Sequence, residues 1–386
     1  MKILFITPAT PLRGGIALSS ERLAHELLAL NHEVVVYSFK LQYPSLLFPG
    51  KTQYTKDPAT PGFEIKSTLN SINPLNWILV GWAIARERPD RIFVRFWLPF
   101  MGPCLGTVLR MARLFLWKKK PRVTALVDNI VPHEKRPGDG PFARYFVRAC
   151  DDFVVMSHSV GEEIKQFLKP SLLSDQASLP VGGGVGVVRY APHPVYDTYG
   201  PPVLKDKARK KLNLPPDAPI VLFFGFIRAY KGLDLLLEAL AGAPSVHALI
   251  AGECYESWKP YQAIIKKNDL EWRVHLHTDF VPTELVPAYF AAADLVVQPY
   301  HSATQSGISQ IAYNFDKPMV VTNVGGLPEI VAHGVSGYVV EPQPAAIAAA
   351  IRDFFENDRA EAMKAGVRAE KARFSWGHLA NVLLEG

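Results

Sequence analysis

The sequence predicts an α/β protein built as two doubly wound domains, each a mainly parallel sheet with helices on both faces, the two facing a shared cleft. Three observations lead there. At 386 residues the chain has room for two cores. Short apolar runs alternate with segments of helical period. That alternation stops at a Pro- and Gly-rich stretch, HPVYDTYGPP at 193–202, and then begins again.

In the first half, the run at 2–7 (KILFIT) ends in the loop PATPLRGG. A helical pattern, SSERLAHELLALNH, follows with Leu23, Leu27 and Leu30 on one face, and EVVVYSF reads as the next strand. A right-handed crossover makes these two strands parallel. Further strands are expected at RIFVRF (91–96), VTALV (123–127) and FVVMS (153–157). After the hinge, strands are expected at 219–226, 246–252, 273–280, 294–300, 318–324 and 337–342, with helices at GLDLLLEALAG, TELVPAYFAAA and SQIAYNFD between them. The domains are accordingly drawn at 1–195 and 196–370, with a last helix at 371–386 free to pack back on the first domain. Open sheets of this kind bind ligands at the carboxyl ends of their strands.

Composition narrows the class. Hydrophobic content of 48% with 20% charged residues describes an ordinary globular chain. A net charge of +6 favours anionic partners: phosphate esters, nucleic acid or acidic lipid. Three cysteines (Cys104, Cys150 and Cys254) lie far apart without a CxxC or Cys/His pattern, so they read as reduced thiols and no metal site is expected. The opening MKILFITPAT lacks the marks of a signal peptide and reads as a strand. Segment 67–85 has no charge but carries Asn70, Asn73, Pro74 and Asn76, and 96–109 is shorter than the roughly 18–20 apolar residues a span needs. No transmembrane helix is expected, and the chain reads as cytoplasmic, with peripheral placement on the inner face of the membrane as an option.

The strongest chemical signal is GFIRAYKGLDLLLEAL. A strand delivers Gly225, Arg228 and Lys231 follow, and a helix is expected to begin near Gly232. Two fixed cations at a helix start suit a diphosphate; a solvated turn with surface cations is the plain alternative. In PYHSATQSGISQ a polar run, 302–307, leads to a helix expected around Ser309, so that the amides of Ser306, Gly307 and Ile308 would point at an anion. An ordinary helix cap gives the same pattern. In DNIVPHEKRPGD, Asp128 and Asn129 leave a strand at its carboxyl end, where a carboxylate can orient or deprotonate a hydroxyl, or serve as a turn residue. His133, Glu134 and Arg136 follow on the loop. Segment 110–122, RMARLFLWKKKPR, has six cations and no acid among Leu, Phe and Trp. It suits an anionic lipid surface and equally an amphipathic helix with a solvated end. No nucleic-acid-binding motif accompanies it, and no nucleic acid partner is expected.

The segments GFIRAYKG, AADLVVQPY, KPMVVTNVGGLPEIV and HGVSGYVVEP occur in this order, together with the Gly14-Gly15 loop and DNIVPHEKRPGD. They resemble the retaining glycosyltransferases of family 4, which have the GT-B fold of two Rossmann-like domains. The resemblance implies transfer of a sugar from a nucleoside diphosphate-sugar to a saccharide or lipid-linked acceptor, with retention and without a metal or other cofactor. It implies that Arg228 and Lys231 neutralise the diphosphate, that Gly14 and Gly15 approach phosphates and acceptor, and that Glu329 touches donor or ribose. It also implies that backbone near Val281 meets the base. Two Glu residues eight apart are common in that family, whereas Ala303 and Ile311 stand here. Thr304, Gln305 and Gln310 are the neutral groups nearby. Many relatives have His where Asp128 stands. These departures leave open a catalytically silent nucleotide-sugar-binding protein, or another GT-B enzyme such as a sugar-nucleotide epimerase.

Overall fold

The computed structural model describes residues 1–44, 52–55, 62–117, 120–131, 137–168, 187–304 and 306–385. The chain divides into two compact units, Met1–His193 with Trp376–Gly386, and Pro194–Ser375.

The first unit runs β1 (Lys2–Ile6), α1 (Gly15–Ala29), β2 (Glu33–Leu41), β3 (Glu64–Asn70), α2 (Pro74–Glu87), β4 (Arg91–Phe96), α3 (Gly102–Phe115), β5 (Arg122–Val127), α4 (Asp139–Val147), β6 (Asp152–Val155), α5 (His158–Lys165) and β7 (Val188–Tyr190). The strands form one seven-stranded sheet in the order β3-β2-β1-β4-β5-β6-β7. Every pairing in it is parallel. On α1, Leu23 and Leu27 are buried, while Leu30 caps the helix and is exposed. Two strands escaped the sequence reading. Strand β3, EIKSTLN, lies at the sheet edge and has no apolar run to reveal it, and β7 is three residues long. The uncharged segment 67–85 divides between the end of β3 and α2, and 96–109 between the end of β4, a 3-10 turn and α3. Among the described residues no helix is long and apolar enough to cross a membrane.

The second unit runs α6 (Lys205–Lys211), β8 (Ile220–Phe224), α7 (Leu233–Ala239), β9 (His247–Ala251), α8 (Lys259–Lys267), β10 (Val274–His277), α9 (Val286–Ala292), β11 (Leu295–Gln298), α10 (Gly307–Asn314), β12 (Met319–Thr322), α11 (Leu327–Ile330), β13 (Gly337–Val340), α12 (Pro344–Glu356) and α13 (Ala360–Glu370). Its six strands, in the order β10-β9-β8-β11-β12-β13, are again all parallel. The strands stop short of the apolar runs because the backbone turns away early: β11 ends at Gln298, before Pro299, which has no amide to donate to a ladder. The last helix, α14 (Trp376–Leu384), belongs to the first unit and packs on α1, where the Arg22 guanidinium lies 5.4 Å from the Trp376 ring.

In each sheet the strand order reverses once, between β1 and β4 and between β8 and β11. At such a point the connections leave in opposite directions and open a crevice at the carboxyl edge.

Helix α2 begins on Asn73, whose side-chain oxygen accepts from the amides of Leu75 at 3.1 Å and Asn76 at 3.3 Å, with Pro74 at the first helical position. Asn73→Ala is expected to lower stability by about 1 kcal/mol, read as a lower urea midpoint with an unchanged slope.

Candidate functional site

The reversal between β8 and β11 gathers the residues of the strongest sequence motif. After β8 the chain passes Gly225, Phe226, Ile227 and Arg228, makes a 3-10 turn (Ala229–Lys231) and enters α7 through Gly232. The helix expected near Gly232 thus begins at Leu233, capped by Gly232 and preceded by a tighter turn. Gly232 has φ of 65°, and a Cβ there would collide with the Pro299 carbonyl oxygen. The absence of a side chain lets this turn sit against the end of β11, where His301 N donates to Tyr230 O at 2.8 Å. From the other side the loop after β9 fixes the turn: Ile227 N donates to Glu253 O at 2.9 Å, and the Glu256 carboxylate accepts from Ala229 N at 2.9 Å and from the Tyr261 hydroxyl.

This packing buries Lys231, which is 9% exposed. A Cβ at Gly225 would lie 3.1 Å from its Nζ and 3.1 Å from Ile308 Cδ1, so the ammonium lies over bare glycine backbone beside the start of α10. The Tyr300 ring is 5.5 Å from Nζ. Among the described residues neither Lys231 nor Arg228 has a hydrogen-bonded or ion-paired acid. Burial, and then the charge of Arg228, push the Lys231 amine down to about 8. Arg228 is half-buried, its guanidinium 5.2 Å from the Tyr255 ring, which stacks on Phe226 at 4.7 Å. Two cations held together without an acid, one largely stripped of water, leave positive charge that an anion could offset.

The loop after β11 forms the other wall. Helix α10 starts at Gly307, two residues before the expected position, and Ser306 is its cap. The Ser306 hydroxyl accepts from Ile308 N at 3.3 Å, so of the three expected amides that of Ile308 is occupied internally. The amides of Ser306 and Gly307 have no backbone acceptor among the described residues. Gly325, at φ of 52°, lies so close to Ala303 that a Cβ would strike its carbonyl oxygen, which brings the loop after β12 against the same wall. Ile311 is buried in α10, and Gln310 is fully buried with neither amide atom hydrogen-bonded among the described residues. Glu329 lies in the first turn of α11, and Val281 in the loop after β10. Gln305 lies outside the described residues.

At the reversal of the first sheet the charges are already matched. Asp128, just beyond β5, takes the fork of Arg95 in β4: Nε donates to Oδ2 at 2.6 Å and Nη2 to Oδ1 at 2.7 Å. Arg95 is 2% exposed, and its Nη1 donates to Ser19 Oγ at 2.6 Å, Ser20 Oγ at 3.0 Å and Ile16 O at 3.2 Å. Arg95 therefore ties Asp128 to the first turns of α1, whose cap is Gly14 with φ of 113° and open space where a Cβ would be. Gly15 is the first residue of that helix. Asn129 Oδ1 is buried without a partner among the described residues. The sequence reading missed Arg95; its signal was a cation set between apolar residues of β4, apart from Arg91 at the strand's start. His133, Glu134 and Arg136 lie outside the described residues. Of the basic segment, Arg110 donates to Gly106 O at 2.7 Å and Tyr145 O at 2.8 Å, while Arg113 pairs with Asp151 and Arg122 with Asp152. These three cations thus serve the fold; Lys120 is exposed, and 118–119 lie outside the described residues.

Two parallel Rossmann-like sheets with these reversals define the GT-B architecture. Over its whole length the chain superposes on sucrose-phosphate synthase from Thermosynechococcus elongatus, with a TM-score of 0.73 at 17% identity and 98% of that chain covered. The Anabaena protein Alr3699/HepE in complex with UDP and glucose gives 0.68 at 19% identity, covering 100% of this chain and 98% of that one. Residues 205–372 match the family of glycosyl transferases group 1. Among curated proteins, the D-inositol 3-phosphate glycosyltransferase of Xylanimonas cellulosilytica is 31% identical over 202 residues, 49% of this chain and 48% of that protein. The chain spans about half the length of the first such relatives it matches.

Because Lys231 carries a lowered pKa, its charge destabilises the fold below about pH 8 and not above its unfolded value. Lys231→Met should therefore raise the thermal midpoint at neutral pH, by the equivalent of about 1–3 kcal/mol, while weakening binding of a nucleoside diphosphate. In the wild type, that binding should weaken as pH rises through about 8, and Lys231→Arg should remove the pH dependence; calorimetry across this range measures both. Asp128→Ala leaves the buried Arg95 charge unmatched and should cost about 3–5 kcal/mol of stability, read from urea unfolding. A carboxylate acting only as a base would instead leave the midpoint unchanged.

Proposed function

We propose that the chain is a glycosyltransferase moving a sugar from a nucleoside diphosphate-sugar to an acceptor hydroxyl. The observation that carries this is the buried Lys231 ammonium, without an acid partner among the described residues, beside Arg228 at the strand-order reversal of the second sheet. The match of residues 205–372 to glycosyl transferases group 1 and the names of the relatives support it. The structural neighbour bound to UDP and glucose supports a nucleotide-sugar as donor.

In this reading the donor diphosphate lies against Gly225, its charge met by Arg228, Lys231 and the Ser306 and Gly307 amides. As the bond to the sugar breaks, negative charge grows on the leaving phosphate. Fixed donors at that point stabilise the transition state more than the ground state. Two protein cations can do this without a metal, and metal-independent transfer belongs to the proposal; retention of configuration rests on the family resemblance. Glu329 and backbone near Val281 are assigned to ribose and base. With Ala303 packed on Gly325 and Ile311 in the core, the sugar is held by neutral groups, Thr304, Gln305 and Gln310 among them.

The acceptor, a saccharide or lipid-linked saccharide, is assigned to the first unit at Gly14, Gly15, Asn129, His133 and Glu134. Both carboxylate oxygens of Asp128 already accept from Arg95, which fixes the carboxylate in place to orient a hydroxyl. Peripheral association with an anionic membrane is part of the same proposal.

Thermal-shift measurement against UDP, GDP and their sugar conjugates, followed by detection of the acceptor-linked product, tests the reading. One nucleotide should raise the midpoint, and Arg228→Ala should lower turnover about 10²–10³-fold. Binding without transfer would indicate a silent sugar-nucleotide receptor; absence of any shift would reject the proposal.

A further inference from the structure

Helix α2 carries two apolar faces. Val80, Gly81, Ile84 and Ala85 are buried, with Gly81 against Met111 and the Val108 carbonyl of α3. The other face presents Leu75, Ile78, Leu79 and Trp82 to solvent, with Leu75 73% and Leu79 63% exposed. Their spacing of three, four and seven residues sets them in one stripe along the helix. Scattered exposed leucines are ordinary, but four large side chains in a row on one helix mark a contact surface.

A second set of exposed apolar side chains lies on the neighbouring helix. Met111 of α3 lies against Gly81, and the last turn of α3 beyond it exposes Leu114 and Phe115. Trp117 follows, 70% exposed. The charge left unmatched on the two helices is positive. Helix α3 contains no acid, and the one acid of α2, Glu87, is already held by Lys2 at 2.9 Å and by Lys66. Arg86 lies 4.9 Å from the Trp82 ring, and Arg88 and Lys120 are exposed.

We propose that this α2 stripe, with the end of α3, is the element that docks the protein on an anionic lipid bilayer. Leucine and tryptophan side chains enter the boundary between headgroups and acyl chains, and Arg86, Arg88 and Lys120 meet lipid phosphates. The charge pattern favours this occupant over a second copy of the chain, because a two-fold contact through these helices would bring like charges together. Among the described residues neither helix offers an acid that is not already paired. The inference rests on the peripheral association proposed above, and it places the anchor on α2 in addition to 110–122, half of whose cations serve internal contacts.

Co-sedimentation with vesicles tests it. The wild type is expected to pellet with mixed phosphatidylcholine–phosphatidylglycerol vesicles, less with phosphatidylcholine alone, and less at high salt. The double variant Leu79→Ser, Trp82→Ser should weaken this partition about tenfold or more, with an unchanged thermal midpoint and an unchanged response to nucleotide. A wild type that stays in the supernatant, or a double variant that pellets equally, overturns the proposal. So does a lipid-free wild-type dimer, seen by light scattering, that the double variant converts to monomer. Protein that pellets as described but shows no nucleotide shift would reject the donor assignment and leave the docking surface standing.

Discussion

The second unit depends on a close approach of backbone to backbone at its carboxyl edge. The Pro299 carbonyl fills the space that a side chain at residue 232 would need, and the Ala303 carbonyl does the same at residue 325. Hydrogen bonds from Ala229 to Glu256 and from His301 to Tyr230 hold the same loops. Together they bring Lys231 under cover while its ammonium still faces bare glycine. A lysine on a freely solvated turn would keep its water and attract a phosphate only weakly. Here hydration has been removed by the fold itself, so a large part of the desolvation that binding requires is complete before any ligand arrives.

The two sheets treat their reversal points in opposite ways. In the first, Arg95 and Asp128 form a closed pair, reinforced by Ser19 and Ser20, whose net charge is zero. In the second, Arg228 and Lys231 form an open pair of like charge. A neutral, directional lining suits a hydroxylated ligand that must be oriented. A doubly positive one suits a dianion. The same topology, used twice, thus offers complementary chemistries through the choice of a few residues at strand ends.

Much of this was legible in the sequence. Parallel strands buried on both faces are continuous apolar runs, so the central strands of both sheets could be read directly, as could the cations after β8. Edge strands such as β3 have no such run, because one side needs no apolar cover. The helix expected near Gly232 begins at Leu233, and what the pattern of Leu235, Leu236 and Leu237 does not carry is the 3-10 turn at Ala229–Lys231 that precedes it. The Arg95–Asp128 pair was hidden for a different reason: its partners are 33 residues apart and meet only because β4 and β5 are neighbours. In the uncharged stretch at 67–85 the Asn and Pro residues tell against a membrane span, but the sequence does not show that its helix is apolar on two sides, one turned to the core and one to solvent.

The covered ammonium of Lys231 also bears on how long the polypeptide survives. If an anion binds there as proposed, it relieves that charge in the folded form alone, and the population of opened forms would then follow the supply of the anion. Proteases act on such opened forms. Abundance of the protein would then track its own ligand without a dedicated regulator, through nothing more than the placement of one side chain.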